Sequence, residues 1–178
     1  MKIKREIASI LIIGNEILAG KTQDTNSNYI ARKLYTVGVR CEEINVVADN
    51  HEMIILKINE LRKKYDYVFT TGGIGPTHDD ITAFAISKAL NLPYVINPIA
   101  NKKLEDHYSD EEFTKARQKM AYMPKGAKLI DNPVSVAPGF NVKNIYVFPG
   151  VPKILEVMLD EFIKSIKKKN KFFKNNNS

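Results

Sequence analysis

Tyr67-Val68-Phe69-Thr70 runs straight into Thr71-Gly72-Gly73-Ile74-Gly75-Pro76-Thr77-His78-Asp79-Asp80, and an apolar helical pattern follows from Ile81 to Leu90. A strand, a glycine loop and a helix in that order confine the chain to an α/β arrangement, in which such a turn delivers the backbone from a sheet into a crossover helix. Glycines remove the Cβ that would block a sharp turn or the close approach of a ligand, and a helix start offers N–H groups and a positive dipole end. An anion such as a phosphate suits that place. The adjacent carboxylates of Asp79 and Asp80 would repel a bare phosphate, so they make chemical sense with a divalent cation between them and the ligand. Thr77-x-x-Asp80 also has the spacing of a capping box, a purely structural role that explains neither Asp79 nor the glycines.

The rest of the chain supplies matching elements. Ile7 to Ile13 is a near-continuous apolar run ending at Gly14, as expected of a strand buried on both faces of a parallel sheet. Asn15 to Thr25 reads as a polar loop, and Asn26 to Tyr35 as a helix stopped at Gly38. A second strand spans Val39 to Val47; Asp49 and Glu52 then stand three apart, which predicts a helix start and a helix to about Lys64. Ile145 to Phe148 is a further strand, after which Pro149-Gly150-Val151-Pro152 opens the last helix. Ile99 to Tyr108 and Asp110 to Met120 read as two polar helices of an insertion, and Asn132 to Phe140 as a Pro- and Gly-punctuated loop. The expectation is one domain over residues 1–165, α/β with a mostly parallel sheet and right-handed crossovers, followed by a basic, flexible tail over 166–178.

On that layout Gly14-Asn15-Glu16, Asp49, Gly72 to Asp80 and Pro149 to Pro152 each directly follow a strand. They therefore meet at the carboxyl edge, where open parallel sheets bind ligands. Gly75 is followed by Pro-Thr rather than Lys-Ser or Lys-Thr, and the GGxG spacing departs from the dinucleotide fingerprint. A P-loop NTPase and a nicotinamide dehydrogenase are both disfavoured.

Composition narrows the partners. With 44% hydrophobic and 26% charged residues among 178, the chain reads as globular, and no run approaches the about 20 apolar residues that span a bilayer. No membrane partner is expected. The start shows no signal-peptide pattern and the single Cys41 fits a reducing compartment, so the cytoplasm is the expected location. The net charge of +7 invites a nucleic-acid reading, but much of the excess lies between Lys164 and Lys171, where it complements a helix end, and nucleic acid is not the expected partner. Phe172-Phe173 could anchor the tail or meet a partner.

Gly14-Asn15-Glu16-Ile17-Leu18-x-Gly20, Asp24-Thr25-Asn26, Thr71-Gly72-Gly73-Ile74-Gly75-Pro76-Thr77-x-Asp79-Asp80-x-Thr82, Asn132-Pro133, Ala137-Pro138-Gly139-Phe140 and Pro149-Gly150-Val151-Pro152 together resemble the MoaB/Mog molybdopterin-binding domain, most closely the amino-terminal domain of CinA-type competence/damage-inducible proteins. The resemblance covers about Ile7 to Phe162. It implies a three-layer α/β/α sandwich, usually a homo-oligomer, with the ligand edge described above. It also implies a small-molecule nucleotide or pterin as ligand, and metal-dependent hydrolysis of ADP-ribose-type pyrophosphates. The alternatives are molybdopterin adenylylation with magnesium and ATP, or binding without catalysis.

Under that resemblance Asp80, Asp79 and Asp49 are the candidate catalytic residues. Asp79 and Asp80, with Glu16 as a further candidate, would hold Mg, Mn or Co; molybdopterin is a second possible cofactor. Ligand contacts are assigned to Gly14, Asn15, Glu16, Thr71, Gly72, Gly73, Gly75, Pro76 and Thr77, and to Ser135, Pro138, Gly139, Pro149 and Gly150. Asp24 and Asn26 suit ribose or base contacts, although Asp24 serves equally as a helix cap. The sequence departs from its relatives at Asn15, often aspartate, at His78, at Ser135-Val136 and at Lys153-Ile154. Asn15 removes one possible metal charge. His51 and His107 carry no functional assignment.

Overall fold

The computed structural model describes residues 6–175, with side chains described to Ile166. β1 (Ile7–Ile13), β2 (Arg40–Val47), β3 (Tyr67–Thr71) and β8 (Ile145–Phe148) form the parallel part of a six-stranded sheet. Its order is β2-β1-β3-β8-β7-β6, with β7 (Gly139–Val142) and β6 (Lys128–Ile130) added antiparallel at one edge. The chain leaves β1 for the neighbour on one side, β2, and later returns to the other side as β3. That reversal opens a crevice beyond the strand ends.

Alternation along β1 divides the core. Leu11 and Ile13 face α3 (His51–Lys64) and α4 (Thr82–Ala89), where Ile54, Ile58, Leu61, Ala85 and Ile86 are buried. Ile10 and Ile12 face α2 (Asn26–Tyr35) and α7 (Pro152–Asn175), packing with Ile30, Leu34, Leu155 and Leu159. Helices on both faces explain why β1 is apolar at nearly every position rather than every second one. The architecture is the three-layer α/β/α sandwich with a mostly parallel central sheet.

Several local expectations need correction. The segment after β1 is not all loop, because Asn15–Leu18 forms the short helix α1. The start of α3 is capped not by Asp49 but by Asn50, whose Oδ1 accepts from the Met53 N–H at 3.0 Å. The second of the two insertion helices shrinks to α6 (Lys115–Gln118) and a 3-10 turn, Lys119–Ala121, because Thr114 is the residue whose side chain accepts from Arg117 N. The first, α5 (Pro98–His107), starts at a proline capped by Asn97. β4 (Tyr94–Ile96) and β5 (Tyr122–Pro124) pair antiparallel across this insertion. These strands and β6 are only three residues long, too short for a periodicity to register. α7 continues to Asn175; the side chains of Phe172 and Phe173, like residues 176–178 of the expected tail, lie outside the described residues.

Edge strand β2 is tied to the end of α3 by Glu43. Its Oε2 accepts from Lys64 Nζ at 2.8 Å and from the Tyr65 hydroxyl at 2.5 Å, and Asn45 Nδ2 donates to Oε1 at 2.9 Å. Lys64, then Tyr65 and Asn45, hold its carboxyl down at about 2 against an ordinary 4.5. A carboxyl lowered by folding stabilises the fold above its unfolded pKa and loses that contribution as pH falls toward the folded one. The stability difference between native protein and Glu43→Gln in urea denaturation should therefore be constant above pH about 5.5 and shrink steadily between pH about 5 and about 2.

Candidate ligand-binding site at the carboxyl edge of the sheet

Two strand ends, those of β3 and β8, and the start of α2 are held by one buried polar node. Asn26 Nδ2 donates to Thr71 Oγ1 at 2.9 Å and to the Gly150 carbonyl at 2.8 Å, while the Thr71 hydroxyl donates to the Pro149 carbonyl at 3.0 Å. The node brings the loops after β3 and β8 so close that a Cβ on Gly150 would lie 3.3 Å from the Gly72 Cα. Gly72 itself has φ of +100°, and a Cβ there would sit 2.1 Å from the Ile13 carbonyl oxygen. This glycine is required by the packing of one loop on the next strand, whatever ligand binds. Asn26 Oδ1 is buried without a hydrogen-bond partner among the described residues.

The loop after β1 is stitched to the loop after β2. Asn15 N–H donates to Asp49 Oδ2 at 2.8 Å, and Asp49 N–H donates back to Asn15 Oδ1 at 3.3 Å. Asn15 thus serves as a positioning partner for Asp49. Beyond β3, Asp80 Oδ2 accepts from the Thr77 N–H at 2.8 Å and the Thr77 hydroxyl at 2.7 Å. This is the backward half of the expected capping box, but α4 starts at Thr82, so the pair closes a loop turn rather than a helix end. The Thr77 hydroxyl also lies against Asp79 Oδ1. That contact, then the backbone, holds the Asp79 carboxyl below the usual range, so it is ionised at neutral pH. Gly75 leaves room for Asp80, since a Cβ there would be 2.7 Å from Oδ2.

Together these loops enclose an open cavity of about 630 Å³, within the usual size of small-molecule sites. Glu16, Asp49, Asp79 and Asp80 line it, together with Gly72, Gly73, Gly75 and Pro76 of the loop after β3, Pro149 and Gly150 after β8, and Ser135. Asp24, Asn26 and Thr71 instead line a smaller recess of about 50 Å³ that shares Glu16, Gly72 and Gly150 with the main cavity. Asp24 acts there as a cap, its carboxylate accepting from the Ser27 N–H at 3.1 Å and contacting the Ser27 hydroxyl. Gly14, Asn15, Thr77, Pro138 and Gly139 do not line the main cavity; Gly139 is buried in β7, where a Cβ would lie 2.3 Å from the Val147 carbonyl.

Among the lining residues not singled out from sequence, Tyr108, Arg117 and Met120 come from the insertion. The only available signal was a cation within a weakly periodic helix. Asn132 was quoted only for its resemblance; it organises the 132–138 loop by accepting from Val134 and Ser135 N–H and donating to Ala137 O.

The donor set suits a cation shared with a ligand rather than caged by protein. Among the described residues no three His, Cys, Asp or Glu side chains gather closely enough to hold a metal alone. Asp49 commits one carboxylate oxygen to the Asn15 N–H of the neighbouring loop and Asp80 one to Thr77 of its own, and each leaves Oδ1 without a partner among the described residues. One or two carboxylates completed by phosphate oxygens is the usual magnesium arrangement.

An anion-compatible glycine wall and an acidic rim at the carboxyl edge of an open sheet define a small-ligand-binding α/β domain. The chain belongs to the family described as "Probable molybdopterin binding domain", whose profile matches residues 9–168. It is 43% identical over 164 residues to a protein of Sulfurisphaera tokodaii, covering 88% of this chain and 62% of the relative. It is 38% identical over 172 residues to the CinA-like protein of Thermosipho melanesiensis, covering 92% of this chain and 42% of that one. The chain thus spans less than two thirds of these relatives' lengths. The crystal structure of the protein CinA with unknown function from Thermoplasma acidophilum superposes with a TM-score of 0.86 at 34% identity, covering 91% of this chain and 98% of that one. The tungsten cofactor synthesizing protein MoaB from Pyrococcus furiosus shares the fold at a TM-score of 0.58 and 20% identity, covering 92% of each chain.

The node makes a stability prediction. Asn26→Ala, which removes both donated bonds, should lower unfolding free energy by about 1–3 kcal/mol in urea denaturation. Asn26→Asp should cost more, because it replaces the donor with a buried charge facing two acceptors.

Proposed function

We propose that this chain binds a nucleotide or pterin phosphate in the carboxyl-edge cavity and hydrolyses a nucleotide diphosphate of the ADP-ribose type with a divalent cation. The observation that carries the reading is the convergence of the Gly72 to Pro76 backbone with Asp49, Asp79 and Asp80 in one open cavity. Asp79 and Asp80, with Glu16 at the same rim, would hold Mg, Mn or Co together with the ligand's phosphates. Such a cation polarises a phosphoryl oxygen and neutralises developing charge. The loop backbone would orient the phosphates, and Asp49, held by Asn15, would accept a proton from the attacking water. Cys41 supports a cytoplasmic setting as a lone thiol whose pKa is raised by burial. Among the described residues no helix is long and apolar enough to cross a membrane.

A second reading is adenylyl transfer to molybdopterin, supported by fold neighbours whose names assign them to cofactor synthesis, such as the Pyrococcus furiosus MoaB. It uses the same wall and differs in the acceptor, a pterin phosphate instead of water. Binding without catalysis is the third reading. Homo-oligomerisation accompanies all three, supported by Ile44 and Val46 on edge strand β2, 49% and 36% exposed, and by Leu18 at 56%.

Incubation with ADP-ribose and each of the three metals should yield AMP. Asp80→Asn should lower kcat at least about 100-fold with its melting temperature little changed, since the amide oxygen still accepts from Thr77. Transfer of AMP to molybdopterin without hydrolysis would select the second reading; ligand binding with neither product would select the third. In sedimentation velocity the protein should run as an oligomer, with Ile44→Lys shifted toward monomer.

A further inference from the structure

The cavity's acidic rim comes from the loops at the strand ends, whereas Arg117, the one lining cation among the described residues, comes from the insertion between β4 and β5. Its guanidinium lies 4.2 Å from the centroid of the Tyr108 ring, and Nη1 donates to the Glu112 carbonyl at 2.8 Å. Glu112 Oε1, at 3.9 Å, is a loose partner. The guanidinium is thereby held over an aromatic face with Nε and Nη2 unused among the described residues. The insertion is also fastened to the glycine loop, because Lys119 Nζ donates to the Thr77 carbonyl at 2.5 Å. Only Gln118 separates Lys119 from Arg117, so the clamp that ties the loop also fixes the wall that carries the guanidinium.

We infer that Arg117, oriented by Tyr108, is the specificity-determining contact for a second phosphate, so that the cavity selects ligands carrying a diphosphate over those carrying a single phosphate. Four carboxylates against one arginine leave the lining net negative, and a shared cation offsets only part of this. A planar fork with free N–H groups matches two phosphate oxygens, a pairing that an ammonium group reproduces only as a point charge. The cavity, about 630 Å³, is larger than one phosphate needs and leaves room for the second across from the loop. The inference deepens the proposed function and rests on its assignment of the glycine wall to the first phosphate.

Binding isotherms for ADP-ribose, AMP and inorganic pyrophosphate with Mg²⁺ present test it on the whole chain. Arg117→Gln should weaken ADP-ribose and pyrophosphate by about 10- to 100-fold and AMP by less than about 3-fold. Arg117→Lys should recover only part of the loss, and Tyr108→Ala, which removes the ring beneath the guanidinium, should weaken ADP-ribose and pyrophosphate more than AMP. An equal loss for AMP and ADP-ribose, no loss, or a native protein that binds none of the three ligands overturns the inference. Because the readout is binding, unhydrolysed ADP-ribose refutes the reaction while diphosphate selectivity by Arg117 still stands or falls by these isotherms.

Discussion

The buried amide of Asn26 is the interaction on which the site depends. Its two donated bonds join the start of α2 to the end of β3 and to the turn into α7, segments 45 and 124 residues away in sequence. The donor and its Thr71 acceptor are shut off from water, Asn26 being 7% and Thr71 1% exposed, while Gly150 stands at the exposed end of the node. The bonds are therefore worth more than their strength suggests, because breaking them strands buried polar groups. With the node in place, Gly72 and Gly150 touch and the glycine wall has one position. Without it, the loops after β3 and β8 would have only the sheet ladder to align them.

The glycines themselves carry a different load from that first expected. Gly72 is excluded from bearing a side chain by the Ile13 carbonyl, and a side chain at Gly75 would have to push the Asp80 carboxylate aside. They allow loops to pack on each other and on acidic side chains, and the smooth wall facing the cavity follows from that packing. Charge is divided by origin in the same way. The carboxylates stand on loops fixed by sheet geometry, while the opposing guanidinium is brought in by an insertion whose own two-stranded ribbon and helix caps hold it. A site built so can keep its acidic rim constant while the insertion varies what it accepts.

β1, β3 and β8 were legible because strands covered on both faces must be apolar at almost every position, a pattern that needs no partner to be recognised. The convergence of Glu16, Asp49, Asp79 and Asp80 followed from strand order alone, since parallel strands present their following loops at one edge. Strands of three residues in β4, β5 and β6 were not legible, being shorter than any periodicity. Nor was the choice between Asp49 and Asn50 as the cap of α3, because either side chain suits the position. Asp24 divided evenly between cap and ligand until Ser27 was seen to occupy its carboxylate.

What the sequence by itself determined was the set of local conditions: which runs must be covered on both faces, where a turn demands glycine, and which acidic residues follow strands. Those depend on neighbours a few residues away, and binary patterning records them. The tertiary structure alone decided which groups meet. Asn26 with Gly150 and Asn15 with Asp49 are pairings across the fold, and Arg117 shares a cavity with the acidic rim; all are set by sheet order and by the docking of the insertion through Lys119. No local propensity encodes such contacts, because their free energy comes from desolvating partners that only the assembled core brings together.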